Sequence, residues 1–479
     1  MTIASFSFLA FALVVILMYN FHPSASWRKW ILLITNLIFL ATFSHSLLTF
    51  TPLAVFLTFG YLSIWAMQSS QSKSAYFSIV VGTLLLFFWL KKYTFLPEAT
   101  FLRFTYVTIG LSYIFFRVMQ MIIDASSGNL GRKVDIISYL NFTLNFTTLV
   151  SGPIQRYAEF VEQHLAPVRA PLTLIDIGNG LERIVVGFFK VNVLGLIFSM
   201  VHVQAISALS LNQPIGTRAL TGATIAASYT IYLYFNFSGY TDIVIGVAAF
   251  LRIRLPENFN RPLSADNFLE FWNRWHMTLS HWLKTYVYNP LLISLMRRFP
   301  SKKIEPFLGV ATFFVTFFLI GLWHGRTSEF IFYGVLVGAG VSVNKLFQIE
   351  MAKAMGKKQY KALSEDWMYQ AVCRGVTFTF VSFSLLWFWS NWKNLNTMSQ
   401  ALQPPAQLLA FFLIFAASTI VLASWEVIRA GAFNVKWGGQ SIFLSRYVRT
   451  IWDTGLVLVV AAVMGILSTP APDVVYKAF

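Results

Sequence analysis

Two histidines stand where an ionisable side chain is costly. His276 lies in EFWNRWHMTLSHW and His324 in GLWHG, each directly after a tryptophan and each beside apolar sequence. An imidazole in such a setting is a functional candidate. In its neutral form it can take a proton from a hydroxyl near pH 7. His324 is the stronger candidate base: it closes an apolar run, and Gly321 and Gly325 leave room for backbone or substrate to approach. Asp242, inside FNFSGYTDIVIG, is the notable embedded carboxylate. It is expected to hydrogen-bond neighbouring Tyr or Ser residues and hold its helix, and it is also carried as a substrate-binding candidate.

Other chemistries lack their residues. There is no Walker loop, no HExxH zinc helix and no GxSxG elbow, and no run of membrane acids suggests a proton relay. The single cysteine, Cys373, allows no disulfide within the chain and no zinc spacing, so it is expected to be a small buried residue and no metal site is expected.

The elements that must position the histidines are membrane helices. Of 479 residues, 57% are hydrophobic and 17% aromatic, with only 11% charged. A soluble domain would carry about a quarter charged residues. Apolar runs near Ile3–Phe21, Trp30–Leu47, Pro52–Met67, Tyr76–Phe95, Phe101–Ile123, Leu181–Val203, Thr224–Phe250, Phe307–Trp323, Phe330–Phe347, Ala371–Trp392, Leu408–Ile428 and Ile451–Leu467 predict about twelve spanning helices. The first run has no basic residues before it and no small-residue cleavage site after it, so it is expected to be a retained helix, not a cleaved leader.

The net charge of +17 would suggest nucleic acid in a soluble protein. Here the excess lies in loops between apolar runs, so it is read as a topology signal, with affinity for anionic lipid headgroups as a by-product and no nucleic-acid partner. Arg28, Lys29, Lys73, Arg132, Lys133, Arg252–Lys303, Lys345–Lys361 and Arg429–Arg449 then face the cytosol. Lys91, Lys92, Arg218, Arg326, Lys393 and Lys477 face outside, with the N-terminus.

Two segments do not fit a simple span. Ile136–Val150 is apolar but short, is broken by Asn141, Asn145 and Thr147, and runs into SGPIQR. It reads as a re-entrant segment or as a loop with an interfacial helix. Phe268–Tyr288 reads as one amphipathic helix lying in the interface. Its apolar face holds Phe268, Phe271, Trp272, Trp275, Leu279, Trp282, Leu283 and Tyr286. His276 sits at the edge of that face, and His281 lies opposite, with Glu270, Arg274 and Lys284.

FNFSGYTDIVIG, RLPENFNRP, EFWNRWHMTLSHW and GLWHG resemble, in order and spacing, the membrane-bound O-acyltransferase family, in the bacterial branch that O-acetylates alginate or exports D-alanine to teichoic acid. The likeness is densest over Ser151–Gly325. It implies one all-α polytopic membrane domain over residues 1–479, with re-entrant and in-plane amphipathic helices around a central cavity. It implies that His324 is the catalytic base and that His276 orients the acyl donor or acceptor. Asn273, Trp275 and Trp323 would line the same cavity, and Arg274, Ser151, Gln155 and Arg156 are further substrate-binding candidates. No cofactor is held permanently. The donor would be a cytosolic thioester, acetyl-CoA or a carrier protein's phosphopantetheine, and the basic cytosolic residues from Arg252 to Lys303 could hold it.

The resemblance further implies an O-acyltransferase of the bacterial inner membrane. It would move an acyl group, acetyl first and D-alanyl as the alternative, to an exported polysaccharide hydroxyl or to an extracytoplasmic acetyltransferase partner. A transporter or channel without acyl chemistry is the alternative from another class.

Overall fold

A backbone in hydrocarbon can satisfy its N–H and C=O groups only within itself, so apolar runs of this length become helices. A computed structural model describes residues 1–70, 72–169, 171–437, 440–441 and 445–467. In chain order the helices are α1 (Phe6–Phe21), α2 (Ala25–Ala41), α3 (Thr51–Ser69), α4 (Lys73–Leu90), α5 (Leu111–Ser126), α6 (Ile136–Thr143), α7 (Tyr157–His164), α8 (Leu174–Phe189), α9 (Leu196–Ala208) and α10 (Ile215–Phe250). They continue with α11 (Phe268–Arg274), α12 (Met277–Leu283), α13 (Asn289–Arg298), α14 (Glu305–His324), α15 (Ser328–Ala354), α16 (Lys357–Glu365), α17 (Trp367–Ser384), α18 (Leu386–Trp389), α19 (Trp392–Asn434) and α20 (Arg446–Leu467). A two-residue β-ladder, Lys436–Trp437 with Gln440–Ser441, lies between the last two. Lys477 lies outside the described residues.

Eight helical stretches among the described residues are long and apolar enough to cross a membrane, from Leu47–Ser69 to Tyr447–Ile466, and Phe6–Phe21 is apolar but shorter. The protein is a multi-pass helical membrane protein. Each of the twelve apolar runs coincides at least in part with a helix. The run Phe101–Ile123 is a correction: its first ten residues are not helical, and α5 starts only after Gly110 (φ 77°) turns the chain. Cys373, expected to be buried, is only partly so.

The chain forms two compact units. Among the described residues, one comprises Met1–Val191 with Phe237–Glu257, and the other Asn192–Asn236 with residues 258–467. In the first unit, residues 141–155, the end of α6 and the irregular stretch after it, are wholly buried. Such backbone persists in an apolar setting only if protein groups satisfy it. Arg117 does so from α5, donating to the carbonyls of Phe142 (3.1 Å), Thr143 (2.8 Å) and Thr148 (2.7 Å). Asn36 Oδ1 accepts from the Phe146 N–H at 2.9 Å.

In the second unit, α14 and α15 form a tight helical hairpin. A Cβ on Gly321 would stand 2.2 Å from the Cα of Gly334, so the two backbones touch where any side chain would separate them. Trp272 of α11 packs its ring 5.3 Å from that of Phe317 on α14, tying the short helices to this hairpin.

The single amphipathic helix expected over Phe268–Tyr288 is corrected. It is two helices, broken at Trp275, which is extended, and His276, which is left-handed (φ 45°, ψ 51°). The competing interaction comes from the preceding loop. Asn260 N–H donates to the Arg274 carbonyl and Met277 N–H to the Asn258 carbonyl, both at 2.9 Å, so ladder bonds replace helix bonds at the break. The expected apolar face is nonetheless buried at Phe268, Phe271, Trp272, Trp275, Leu279, Trp282 and Leu283.

Candidate active site

The second unit holds both histidines of interest. His324 is the last residue of α14 and is 3% exposed. Its ring is enclosed by aromatic groups: Trp323 at 4.7 Å between centroids, Phe388 at 4.9 Å and Tyr333 at 6.1 Å. Gly325 ends the helix, and a Cβ there would stand 2.0 Å from the Phe330 ring, so a residue with a side chain cannot follow His324 without moving that wall.

His276 is the N-cap position of α12 and is 1% exposed. Its Nδ1 lies 3.1 Å from Asn258 Oδ1. The same oxygen receives the Thr278 N–H at 3.2 Å and the Thr278 hydroxyl at 2.8 Å. A backbone N–H can only donate, so the Asn258 atom is the carbonyl oxygen, and His276 Nδ1 must carry the proton. The lone pair of the neutral ring is therefore on Nε2. Burial pushes the His276 imidazole down to about 3, so it is neutral at physiological pH. Trp323 sits beside both histidines, with its ring 6.4 Å from that of His276.

The remaining candidates divide. Trp275 is buried, stacked on Phe271 at 5.5 Å. Asn273 is exposed and donates to Glu270 at 3.1 Å, and Arg274 pairs with Glu270 at 2.7 Å, so these two form a surface cluster with one carboxylate. His281 is exposed.

Ser151, Gln155, Arg156 and Asp242 belong to the first unit. Ser151 is buried, Gln155 donates to the Arg254 carbonyl at 3.2 Å, and Arg156 is exposed at the start of α7. Asp242 does not rely on Tyr or Ser partners as expected. It takes the Arg183 guanidinium at 3.1 Å and the Lys190 ammonium at 2.7 Å, because α8 and α10 touch at Gly187 and Gly239 and bring the cations within reach. Sequence reasoning passed over Asn258, Thr278, Tyr333 and Phe388. Asn258 and Thr278 carried a signal, their places in RLPENFNRP and EFWNRWHMTLSHW, eighteen residues before and two after His276.

The arrangement offers two buried histidines, one with a fixed tautomer, in an apolar aromatic shell. That is the equipment of general base catalysis on a hydroxyl, with water kept out.

Comparison with known proteins gives the chemistry a context. The family model described as MBOAT, membrane-bound O-acyltransferase family, matches residues 30–380. The "Teichoic acid D-alanyltransferase" of Bacillus subtilis is 29% identical over 370 residues, covering 74% of this chain and 89% of the relative. "Probable alginate O-acetylase AlgI" of Azotobacter vinelandii is 31% identical over 246 residues, 51% of this chain and 46% of the relative. "Peptidoglycan O-acetyltransferase" of Helicobacter pylori is 30% identical over 270 residues, 56% and 46% respectively.

Proposed function

The chain belongs to the membrane-bound O-acyltransferase family, and from that premise we propose that it transfers an acyl group from a cytosolic thioester to a hydroxyl outside the cell membrane, with His324 as the base. The hydroxyl proton passes to the neutral imidazole as the oxygen attacks the thioester carbonyl. The tetrahedral intermediate collapses with loss of the thiolate, which takes the proton back. His276 positions one of the two substrates through Nε2, the nitrogen that Asn258 leaves with the lone pair. The observation that carries this reading is the pair of buried histidines flanking Trp323 in one unit.

The donor is a thioester of coenzyme A or of a carrier protein's phosphopantetheine arm. The acceptor is an exported envelope polymer, or a partner protein that passes the acyl group on. The protein sits in the bacterial cytoplasmic membrane with its N-terminus outside, since that orientation puts the basic loops from Arg252 to Lys303 in the cytosol. Acetyl is the acyl group of the first reading. D-alanyl is supported by the longer match, which covers 89% of the Bacillus subtilis relative against 46% of the alginate one.

The test is turnover by purified protein in nanodiscs, offered either labelled acetyl-CoA or a labelled D-alanyl carrier, with release of free thiol as the readout. Thiol release that depends on His324 supports the proposal, and the donor consumed settles the acyl group. No thiol release from either donor, with translocation of an intact solute instead, returns the transporter reading.

A further inference from the structure

The first unit contains a cationic cluster that the proposed chemistry does not use. Arg28, 1% exposed, spends its guanidinium on backbone: it donates to the carbonyls of Pro23, Ala166 (2.6 Å) and His164 (3.4 Å). Arg169 lies over the Tyr19 ring at 5.1 Å and donates to the Leu251 carbonyl. Arg252 follows Leu251 directly, and its Nε is buried. Arg169 thus reaches from Tyr19 to the residue before Arg252, and Arg28 holds the carbonyl of His164, the ring partner of Tyr19. Among the described residues none of the ion pairs involves them, and the carboxylate felt by His164, Asp135, is already held by Lys29 at 2.6 Å. Arg28 is buried and Arg169 and Arg252 are half-buried, and guanidiniums gathered at partial burial with no carboxylate call for an anion.

Two independent observations point to where that anion goes. Arg169 Nε, Arg252 Nε and His164 Nε2 are all buried with no hydrogen-bond partner, and His164 itself is fully buried with its other nitrogen 2.8 Å from the Tyr19 hydroxyl. Buried polar atoms are rarely left without a hydrogen-bond partner, and these three lie together beside the cationic cluster. The second observation is backbone. After α10 the Arg252 N–H bonds back to Ala249 and the Ile253 N–H to Ala248, and Arg252 takes a left-handed conformation at φ 58°. That is the position where a helix normally ends on glycine. Holding an arginine there is unfavourable unless its side chain is needed.

We infer that Arg28, Arg169 and Arg252, with His164 and Tyr19 beside them, form a binding site for a phosphate ester. Guanidinium groups match phosphate oxygens through paired N–H donors. A phospholipid headgroup and a soluble phosphate ester such as coenzyme A present the same chemistry. The site goes beyond the acyl-transfer reading and does not depend on it, because binding needs no turnover.

The experiment compares wild-type protein with Arg252→Gly and Arg169→Gln in phosphatidylcholine nanodiscs. Arg252→Gly removes the charge while keeping the left-handed backbone, so it stays folded even if Arg169→Gln does not. One arm adds phosphatidylglycerol and measures retained lipid by native mass spectrometry. The other titrates coenzyme A without anionic lipid. The site predicts binding to wild type and affinity lower by about tenfold or more in the variants, as expected for loss of a charge-assisted contact. Retained phosphatidylglycerol identifies a headgroup site, and bound coenzyme A identifies a soluble ester. Binding of neither probe to wild type, or equal affinity of wild type and Arg252→Gly for both, overturns the proposal, while the His324-dependence of thiol release is the separate test of acyl transfer.

Discussion

Asn258 Oδ1 accepts a hydrogen bond from His276 Nδ1 at 3.1 Å, so an amide eighteen residues upstream sets which nitrogen of that histidine carries the proton. It also caps α12 through the Thr278 N–H at 3.2 Å. The tautomer and the helix start are thus fixed by one atom.

Asn258→Ala should therefore lower acyl transfer through His276 without touching His324. We expect a loss on the order of 10²-fold, the lower part of what a positioned acid–base group contributes. Separating kcat from KM checks the assignment: a change in turnover or donor KM at unchanged membrane abundance supports it. A loss accounted for by abundance alone would make Asn258 a folding residue only.

The protonation of His276 gives a pH signature. Its folded value, about 3, lies below the ordinary 6.5, so the unfolded chain binds the proton first. The neutral buried ring contributes stability that is complete above pH 6.5 and is lost as pH falls toward 3. Thermal unfolding in detergent should show the advantage of wild type over His276→Gln shrinking as pH is lowered through that window. A pH-independent difference would contradict the burial of a neutral ring.

Asp242 should behave as a structural carboxylate. Asp242→Asn leaves Arg183 and Lys190 facing a neutral amide, and the cost for a partly buried group is about 1–3 kcal/mol. Membrane abundance and melting temperature should fall while turnover per folded molecule holds. Normal abundance with lost turnover would return Asp242 to the substrate site.

Much of this was legible in the residues. The apolar runs marked the helices, because hydrocarbon permits little else. Trp-His pairs at His276 and His324 marked the candidate site, because an ionisable group is costly beside apolar sequence. The break at Trp275–His276 was not legible, since a helical wheel counts only local periodicity and the bonds that break the helix come from Asn258 and Asn260, far upstream. The same blindness hid Arg183 and Lys190, whose pairing with Asp242 depends on two helices meeting at Gly187 and Gly239. His281 was placed on the exposed face correctly because it lies within one unbroken turn of α12.

The central claim rests on three chemically identical substitutions made in one membrane background. His324→Ala, His276→Ala and His281→Ala are compared for thiol release and acyl-product formation at matched abundance. The account predicts that His324→Ala loses at least ~10²–10⁴-fold, that His276→Ala is impaired but less so, and that the exposed His281→Ala is close to wild type. Normal turnover by His324→Ala, with His281→Ala inactive, would contradict it.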